Sequence, residues 1–457
     1  MNSIYTRLAS GLVFPLHERI KGHHTLAVRR RLETSQWWSA ERLAELQMAG
    51  LRRLLESAYG RCAYYRRIMD QRGLRPSDFQ VPADLRQLPT LTKDLIRAHA
   101  EEIRASDAQG LMRFNTGGST GEPLVFFVGR ERMSHDIAAK WRATRWWGVD
   151  IGDPEVVVWG SPVELGAQDR LRELRDRVLR TRLLPAFAMS EENLGSFVAA
   201  IRRRRPRMIF GYPSALAHIA RFARDRDETM DDVGIRVAFV TAERLYEEQR
   251  ETIEAVFGCR VANGYGGRDA GFLAHECPEG GMHVSAEDIL VEILDSADRA
   301  CPPGEPGEVV VTHLGTRDFP FIRYRTGDVA TLDARVCGCG RGLPLLREVQ
   351  GRTTDFVVAA DGTVMHGLAL IYVVRDLPEV RRFKIVQESP LHTRVILIPG
   401  RGYGPDVERA ISQGMRDRLG ESVRVDIEKT DLIPPEKSGK FRYVVSRVAA
   451  GDPDFRD

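Results

Sequence analysis

Between about residue 155 and residue 315, short apolar runs alternate with segments of helical period, and this alternation constrains the fold more than any other feature. Each run ends in glycine, proline or small polar residues; the runs are E-V-V-V-W-G at 155–160, R-M-I-F-G-Y-P at 207–213, R-V-A-F-V-T-A-E at 236–243, R-V-A-N-G-Y-G-G at 260–267 and G-E-V-V-V-T at 307–312. Predicted helices at 190–204, 214–226 and 245–257 separate the earlier runs. The pattern predicts an α/β domain of layered sheets and helices. In such sheets ligands bind beyond the carboxyl ends of the strands, where these polar residues fall.

Different patterns lie on either side of this region. Residues 39–105 are predicted to be mainly helical, since Leu43, Leu46, Leu51, Leu54, Leu55 and Ala58 lie on one helical face. After about residue 352, strand-like runs at 383–386 and 393–399 precede a helix from Pro405 and an alternating strand at 423–427. The sequence therefore predicts an N-terminal helical segment of a large domain at 1–105, the core of that domain at 106–351, and a small α+β domain at 352–457.

The charge balance and the apolar content exclude several classes of protein. A net charge of +3 over 457 residues gives no clustered basic face for nucleic acid, and R-R-R-R at 202–205 is predicted to be the solvated end of a helix. The apolar run Leu8–Leu16 is short and contains Pro15, so we expect neither a transmembrane segment nor a signal peptide. Six cysteines in so long a chain do not indicate a disulfide scaffold and favour a cytoplasmic location.

The stretch N-T-G-G-S-T-G-E-P at 115–123 has the composition of a loop that wraps phosphate. Its glycines expose backbone N–H groups and its hydroxyls add donors; the residues concerned are Thr116, Gly117, Gly118, Ser119, Thr120 and Gly121. A Walker A loop would continue with lysine and a hydroxyl, whereas Glu122 and Pro123 follow here. The stretch therefore predicts phosphate binding of another kind, with a structural turn as the alternative.

Four further motifs follow this loop in order: Y-G-G-R-D at 265–269, Y-R-T-G-D at 324–328, G-R-T-T-D at 351–355 and S-G-K at 438–440. The series resembles the adenylate-forming superfamily of acyl-CoA synthetases and adenylation domains. The stretches at 58–67, 89–94, 211–216 and 265–277 are similar to its phenylacetate-CoA ligase/CapK-like branch, which also contains coenzyme F390 synthetase. The resemblance covers nearly the whole chain and implies a large N-terminal domain with a small, mobile C-terminal domain.

The resemblance implies that a substrate carboxylate attacks the α-phosphate of ATP, giving an acyl-adenylate and pyrophosphate. The glycine loop would hold the β- and γ-phosphates. Lys440 would bridge the carboxylate and the α-phosphate, a task that suits an ammonium point charge, although a solvated surface lysine is the alternative. Asp269 stands where the family usually has glutamate and would bind Mg²⁺.

The remaining nucleotide contacts are also implied by the resemblance. Asp328 would accept hydrogen bonds from the ribose hydroxyls, with a turn-capping aspartate as the alternative. Ala242 and Glu243 match the segment around adenine, and Tyr265 and Gly266 are assigned to the same nucleotide site. Arg352 would reach phosphate or ribose near a hinge. The hinge position itself is Thr354, where relatives often have Asp or Lys, and this departure weakens the expectation of the usual domain swing.

The acyl pocket is expected between the ends of the strands, lined by Trp159, Tyr212 and Gly264, although aromatic residues there are equally typical of core. The resemblance favours an aryl or arylalkyl acid, coenzyme A or another thiol as acceptor, and a homodimer. Two alternatives remain open. AMP could stay on a hydroxyl acceptor, as in coenzyme F390 synthetase. Alternatively, the chain could be a CapK-like protein of a polysaccharide locus, either one that uses another acyl acceptor or a non-enzymatic binding or assembly protein.

Four residues suggest a metal that the adenylation reaction does not need. Cys277 and His283 form C-x₅-H, and Cys337 and Cys339 form C-x-C. Together they provide the Cys₃His set of a structural zinc site. Sequence does not show that the two pairs meet, so reduced cysteines in loops are the alternative, and His275 is a rival to His283.

Overall fold

The computed structural model describes residues 3–115, 124–159, 169–186, 189, 191–352, 356–362, 364–375, 377–434 and 442–448. Contacts between Cα atoms divide the chain into two compact units. Unit 1 comprises residues 1–326 and 330–349, and unit 2 comprises residues 327–329 and 350–457. The functional division at 105/106 and 351/352 stays a prediction.

Side chains cap the start of three helices of unit 1 among the described residues. Ser39 accepts a hydrogen bond from the Arg42 N–H at the start of the longest helix, and Thr92 caps a later one in the same way. The helices are α1 Ile4–Leu8, α2 Phe14–Ile20, α3 Thr25–Ser35, α4 Ala40–Arg61, α5 Ala63–Gln71, α6 Lys93–Ile103, α7 Arg130–Trp146, α8 Asp169–Val178, α9 Glu191–Arg204, α10 Pro213–Arg224 and α11 Glu247–Phe257. A π-helical segment, Ala9–Val13, joins α1 to α2.

The predicted helical region at 39–105 is interrupted. Between α5 and α6, Pro76 and Pro82 open two short 3₁₀ helices, Pro76–Asp78 and Pro82–Gln87, because proline removes a backbone donor and suits the first position of a helix. The predicted leucine face of α4 is buried in the core except for Leu46, which is half-buried.

The described strands up to residue 352 form one large mixed sheet and a separate hairpin. They lie in unit 1 except for residues 327–329 and 350–352 of the last two strands, which belong to unit 2. They are β1 Met112–Asn115, β2 Val125–Val128, β3 Glu155–Trp159, β4 Thr181–Pro185, β5 Met208–Gly211, β6 Val237–Thr241, β7 Arg260–Gly267, β8 Gly271–Glu276, β9 Met282–Val284, β10 Ile289–Leu294, β11 Pro306–His313, β12 Tyr324–Asp333 and β13 Leu345–Arg352. β1 and β2 are the hairpin. The other eleven lie in the order β10-β11-β12-β13-β9-β8-β7-β6-β5-β3-β4.

The large sheet has a parallel part and an antiparallel part. β4, β3, β5, β6 and β7 pair in parallel, as the alternation of strands and helices predicts. From β7 to β8, from β8 to β9 and from β9 to β13 the pairing is antiparallel. Helices α9, α10 and α11 cover one face of the parallel part through a buried apolar cluster.

Unit 2 is a small α+β body, as predicted. Its elements are β14 Phe356–Val358, β15 Val364–His366, α12 Leu368–Arg375, β16 Val380–Ser389, β17 His392–Pro399, α13 Pro405–Leu419, β18 Arg424–Lys429 and β19 Val444–Ser446. Four strands form a sheet in the order β18-β17-β16-β19. α13 buries Val407, Ile411, Met415 and Leu419. The fold is therefore α/β with a smaller α+β unit, which confirms the predicted fold class.

Candidate functional site

The parallel strands bring several predicted site residues to one edge of the sheet. Val158, Gly211, Val240 and Asn263 are in register on β3, β5, β6 and β7. The next residues along these four strands, at the carboxyl edge, are Trp159, Tyr212, Thr241 and Gly264. Three of these four are the residues predicted to line the acyl pocket.

The predicted pocket residues form an aromatic layer. The rings of Trp159 and Tyr212 are stacked with centroids 4.2 Å apart and planes 18° apart, and Trp159 also contacts Phe210 at 5.6 Å. At Gly264, an added Cβ would lie 2.8 Å from the Phe239 ring, so only glycine leaves room for that ring. The three predicted residues thus lie at the same edge of the sheet. Their role as an acyl pocket stays a prediction.

Ala242 and Glu243 form the turn that follows β6. Ala242 has a φ of 71°, a left-handed conformation that is uncommon for a residue with a side chain. The Glu243 carboxylate accepts a hydrogen bond from the backbone N–H of Ser214, in the first turn of α10, at 3.2 Å. This contact ties the end of β6 to the helix that follows β5.

The carboxylate of Asp269 is held from two sides. Tyr324, which is fully buried, donates its hydroxyl to Asp269 Oδ2 at 2.6 Å, and the backbone N–H of Ala270 donates to Oδ1 at 3.1 Å. An added Cβ at Gly267 would lie 2.7 Å from Oδ1, so the carboxylate folds back over a glycine. Tyr324 belongs to Y-R-T-G-D, a motif in which only Asp328 was predicted to have a role.

Arg268 joins the Y-G-G-R-D motif to the start of the glycine loop. Its Nη1 lies 3.5 Å from the carbonyl oxygen of Asn115, a weak hydrogen bond, and Asn115 ends β1 opposite Val125 of β2. Burial lowers the pKa of Arg268. Arg268 was not among the predicted site residues, although it lies inside the Y-G-G-R-D motif.

Buried charged side chains on α7 hydrogen-bond to the backbone of residues 268–272. Arg132 donates to the carbonyl oxygen of Arg268 at 2.8 Å, and Asp136 accepts from the Phe272 N–H at 3.4 Å. Burial alone would raise the pKa of Asp136, but Arg132 and His313 hold it below its usual value. A charged helix face therefore fixes the backbone on both sides of Asp269.

Cys277, His283, Cys337 and Cys339, the four residues suggested as zinc ligands, meet in one cluster. Their ligand atoms all lie within 4.8 Å of one another; the sulfurs of Cys277 and Cys337 are 3.6 Å apart, and Cys339 Sγ is 3.2 Å from His283 Nε2. Two sulfurs bound tetrahedrally to zinc at ~2.3 Å would be about 3.8 Å apart. The donor set therefore fits zinc in both chemistry and spacing.

Burial affects the two kinds of ligand in this cluster differently. Burial raises the pKa of the Cys277 thiol to about 12 and lowers the pKa of His283 to about 4. A neutral imidazole is the form that binds metal, whereas a buried thiolate needs a cation beside it. His275, the rival ligand, lies opposite His283 in the β8–β9 pairing and outside the cluster.

Several predicted residues lie outside what the structure describes. These are Thr116, Gly117, Gly118, Ser119, Thr120, Gly121, Thr354 and Lys440. Arg352 ends β13, and its side chain is outside the described part of the chain. Asp328 lies on β12, four residues after Tyr324, and Tyr265 and Gly266 lie on β7. The roles predicted for these residues stay predictions.

Comparisons with known proteins agree with this architecture. Residues 114–316 match the AMP-binding enzyme family and residues 357–447 match the CapK C-terminal domain. Protein CapK of Staphylococcus aureus is 23% identical over 96% of this chain and 95% of its own length. A phenylacetate-coenzyme A ligase of Thermus thermophilus is 25% identical over 89% of this chain and 96% of its own length.

The fold has solved counterparts. The structure of 2-hydroxyisobutyryl-CoA ligase in the postadenylation state superposes with a TM-score of 0.71 and 20% sequence identity, covering 92% of each chain. The fold and the matched regions together define an adenylate-forming enzyme. Within that superfamily, the chain is most similar in its matched regions and relatives to the CapK/phenylacetate-CoA ligase branch.

Proposed function

We propose that this enzyme uses ATP to activate a carboxylic acid as an acyl-adenylate and then transfers the acyl group to the thiol of coenzyme A. One observation carries the proposal: Arg268 contacts Asn115, at the entry to the glycine loop, and the next residue, Asp269, presents a carboxylate oriented by Tyr324. A phosphate-binding loop and a metal-binding carboxylate would then act on the same part of the nucleotide.

In this proposal the protein mainly aligns the reactants and neutralises charge. A substrate carboxylate oxygen bonds to the α-phosphorus while the bond to the β-phosphate oxygen breaks, and pyrophosphate leaves with the electron pair. The loop of residues 116–121 donates N–H and O–H groups to the leaving phosphates, and Lys440 neutralises charge at the reacting centre. In the second step the thiol sulfur attacks the acyl carbon, AMP leaves, and the thiol proton passes to solvent.

The other nucleotide contacts would hold the adenosine. Asp328 would accept from the ribose hydroxyls, and Arg352 would reach phosphate or ribose. Adenine would bind against Ala242 and Glu243 on one side and Tyr265 and Gly266 on the other, at the carboxyl edge of the sheet. The left-handed turn at Ala242 supports this assignment because strained turns concentrate at ligand sites.

Two metals fit the residues present. Asp269 would hold Mg²⁺, which neutralises phosphate charge when bound; its Oδ1 accepts only a backbone N–H among the described residues, and magnesium needs few protein oxygens. Zinc would occupy the cluster of Cys277, His283, Cys337 and Cys339 and act structurally, since the four protein ligands fill a tetrahedral shell and leave no open position.

An aryl or arylalkyl acid is the favoured substrate class. The stacked rings of Trp159 and Tyr212 would offer a flat apolar wall to an aromatic acid, and relatives over most of the chain are phenylacetate-coenzyme A ligases. The CapK C-terminal match favours a second candidate, in which the acyl group passes to an acceptor other than coenzyme A.

A screen of carboxylic acids tests the proposal. We expect acid-dependent ATP–pyrophosphate exchange for one class of acid, with thioester formed only when coenzyme A is present. The Lys440→Ala variant is expected to lose at least ~100-fold in exchange rate. A matched control is Lys429→Ala, a surface lysine of unit 2 that pairs with Glu408. Full exchange by Lys440→Ala, or AMP left covalently on an acceptor, would contradict the first candidate.

A further inference from the structure

The first twenty residues present a line of exposed apolar side chains. Among the described residues, fourteen large apolar side chains are well exposed, and half of them lie between residues 4 and 20. We call Ile4, Leu8, Leu12, Leu16 and Ile20 the apolar ridge; their exposures are 79%, 55%, 63%, 57% and 79%. Tyr5 and Val13 extend it. A concentration of exposed apolar side chains of this kind marks a surface that binds another protein or a membrane.

The π-helical segment keeps the ridge straight. Residues four apart on an α-helix step sideways by about 40° each time, so five of them would wind around the axis. The π-helical segment Ala9–Val13 has more residues per turn. Residues four apart in it therefore fall short of a full turn and are displaced sideways in the opposite direction. The two geometries offset each other, and the ridge stays on one side.

The opposite face of these helices is anchored on the body of unit 1. Thr6 donates to Asp153 at 2.8 Å, and the Phe14 ring meets Trp141 edge-on at 5.1 Å. Ala9 packs so closely on Gly152 that a Cβ at that glycine would lie 2.3 Å away. The ridge is therefore held in a fixed outward orientation by buried contacts.

Basic residues lie beside the ridge. The Tyr5 hydroxyl donates to the Val178 carbonyl at 2.6 Å, and the Arg180 guanidinium lies 5.3 Å from the Tyr5 ring centroid. Arg182 follows on the edge strand β4 and, with Arg203 and Arg204, lines a cavity of about 390 Å³. The helices themselves expose Arg7, Arg19 and Lys21.

We propose that this end of unit 1 docks on an anionic phospholipid bilayer, with the apolar ridge at the boundary between headgroups and acyl chains and the arginines on lipid phosphates. A straight apolar line with a basic border is the pattern of interfacial helices. Attachment would be peripheral, because no helix in the described ranges is long and apolar enough to cross a membrane.

The charges favour a bilayer over a second copy of the chain. A two-fold interface places the same patch of both subunits face to face, so the basic border would meet its own image and repel. An anionic membrane supplies the complementary sign instead. The exposed end of α9, which was predicted from the sequence to be only solvated, thereby contributes to the docking surface through Arg203 and Arg204.

Vesicle sedimentation with the full-length protein tests the proposal. We expect binding to vesicles of phosphatidylcholine mixed with phosphatidylglycerol, little binding to phosphatidylcholine alone, and weaker binding at high salt. The variants Leu12→Glu/Leu16→Glu and Arg203→Glu/Arg204→Glu should each lower the partition coefficient about tenfold or more. Leu391→Glu, at a leucine of unit 2 with 53% exposure, is the matched control and should bind like wild type.

Three results would overturn the proposal. The wild type could fail to bind either vesicle, or the leucine and arginine variants could bind as wild type does. Alternatively, light scattering could reveal a dimer that Leu12→Glu/Leu16→Glu dissociates, which would make the ridge a self-association surface. Circular dichroism and acid-dependent pyrophosphate exchange, which none of these variants should change, verify that each protein is folded.

Discussion

The hydroxyl of Tyr324 and the backbone N–H of Ala270 each occupy one oxygen of the Asp269 carboxylate. These two hydrogen bonds hold the short aspartate side chain in one orientation. A freely rotating carboxylate would lose conformational entropy when it adopted that orientation. Gly267 leaves the space that this orientation needs. A positioned carboxylate is what proximity-driven catalysis requires.

Removing the Tyr324 hydroxyl tests this positioning. In Tyr324→Phe we expect acid-dependent pyrophosphate exchange to fall by about 10- to 100-fold, because a hydrogen bond to a charged group contributes ~1.5–3 kcal/mol, and the Mg²⁺ concentration for half-maximal rate to rise. Tyr59→Phe is the control, since Tyr59 also donates to an aspartate, Asp70, but on the surface. Equal rates and equal magnesium dependence in both variants would argue against the role of Tyr324.

His275 is a residue whose protonation opposes folding. Its two ring nitrogens have no hydrogen-bond partner among the described residues, and Phe272 stacks on it at 5.5 Å. Burial, with the charges of Arg142 and Lys140, lowers its pKa to about 3. The folded protein therefore keeps His275 neutral under conditions in which an unfolded chain would protonate it.

The sign of the pH effect follows from this depressed pKa. The contribution of neutral His275 to the free energy of unfolding is complete above the pKa of about 6.5 that a histidine has in the unfolded chain. This contribution is lost as pH falls toward about 3, at up to about 1.4 kcal/mol per pH unit. We expect His275→Phe to flatten this slope in urea unfolding, whereas His24→Phe, at an exposed histidine, should not. All six tryptophans lie in unit 1, so their fluorescence follows this unit. An unchanged slope in His275→Phe would exclude the effect.

At the scale of elements, α7 is unusual because it buries charges as well as apolar groups. Arg132 and Arg142 are each 1% exposed, and Arg142 pairs with Glu287 at 2.5 Å. His135 meets Asp288 at 2.5 Å. Such pairs contribute little net stability when intact, but each becomes costly when one partner is removed.

A double-mutant cycle tests this property of α7. Arg142→Met alone should cost about 3–5 kcal/mol because it strands the buried Glu287 carboxylate, and adding Glu287→Met should recover most of that loss. The measurement is urea unfolding followed by tryptophan fluorescence. Arg75→Met is the control: its pair with Asp70 is about half exposed and should contribute below about 1 kcal/mol. A double variant as unstable as the single one would contradict the prediction.

The sequence predicted the elements better than the contacts between them. The runs at 155–160 and 260–267 became β3 and β7 with nearly the same bounds, because a short apolar run next to a glycine marks a strand locally. The links from Tyr324 to Asp269 and from Arg268 to Asn115 were not predicted. Each joins residues that are distant in sequence and meet only through the strand order, which one sequence does not reveal.

The cysteine cluster is the exception among the long-range contacts. Cys277 and Cys337 are sixty residues apart, yet their chemistry suggested a common site because thiol and imidazole pairs at short spacing have few other uses. By contrast, the phosphate loop and Lys440 rest on the resemblance alone, since both lie outside the described residues. The sequence thus predicted which residue types belong together. The supporting residues of α7 could be identified only from the packing of the structure.

At the scale of the whole molecule, the two compact units should unfold as separate transitions. Each has its own sheet and buried apolar core, and multi-domain chains depart from two-state behaviour. The Cys₃His cluster belongs to unit 1 alone. A metal bound there would raise the unfolding temperature of one transition and leave the other unchanged. The homodimer and the cytoplasmic location stay predictions.

Metal removal separates the two transitions. We expect a chelator to release about one zinc per chain and to lower the thermal midpoint that tryptophan fluorescence reports, while the second calorimetric transition stays in place. Gly281→Ala should act like the chelator, because its Cβ would lie 2.6 Å from Cys337 Sγ. Gly338→Ala, which meets nothing within 4 Å, is the control. Absence of zinc by mass spectrometry, or equal shifts of both transitions, would refute the assignment.

The strand order of the large sheet has a consequence for biosynthesis. β9 is three residues long and lies between β8, which precedes it closely in sequence, and β13, which leaves the ribosome some sixty residues later. A nascent chain can assemble the parallel strands early, but its antiparallel edge stays unpaired until residue 352 has been translated. During that interval β9 offers an open edge to other chains, so cells that overproduce this protein should need chaperones before the sheet is complete.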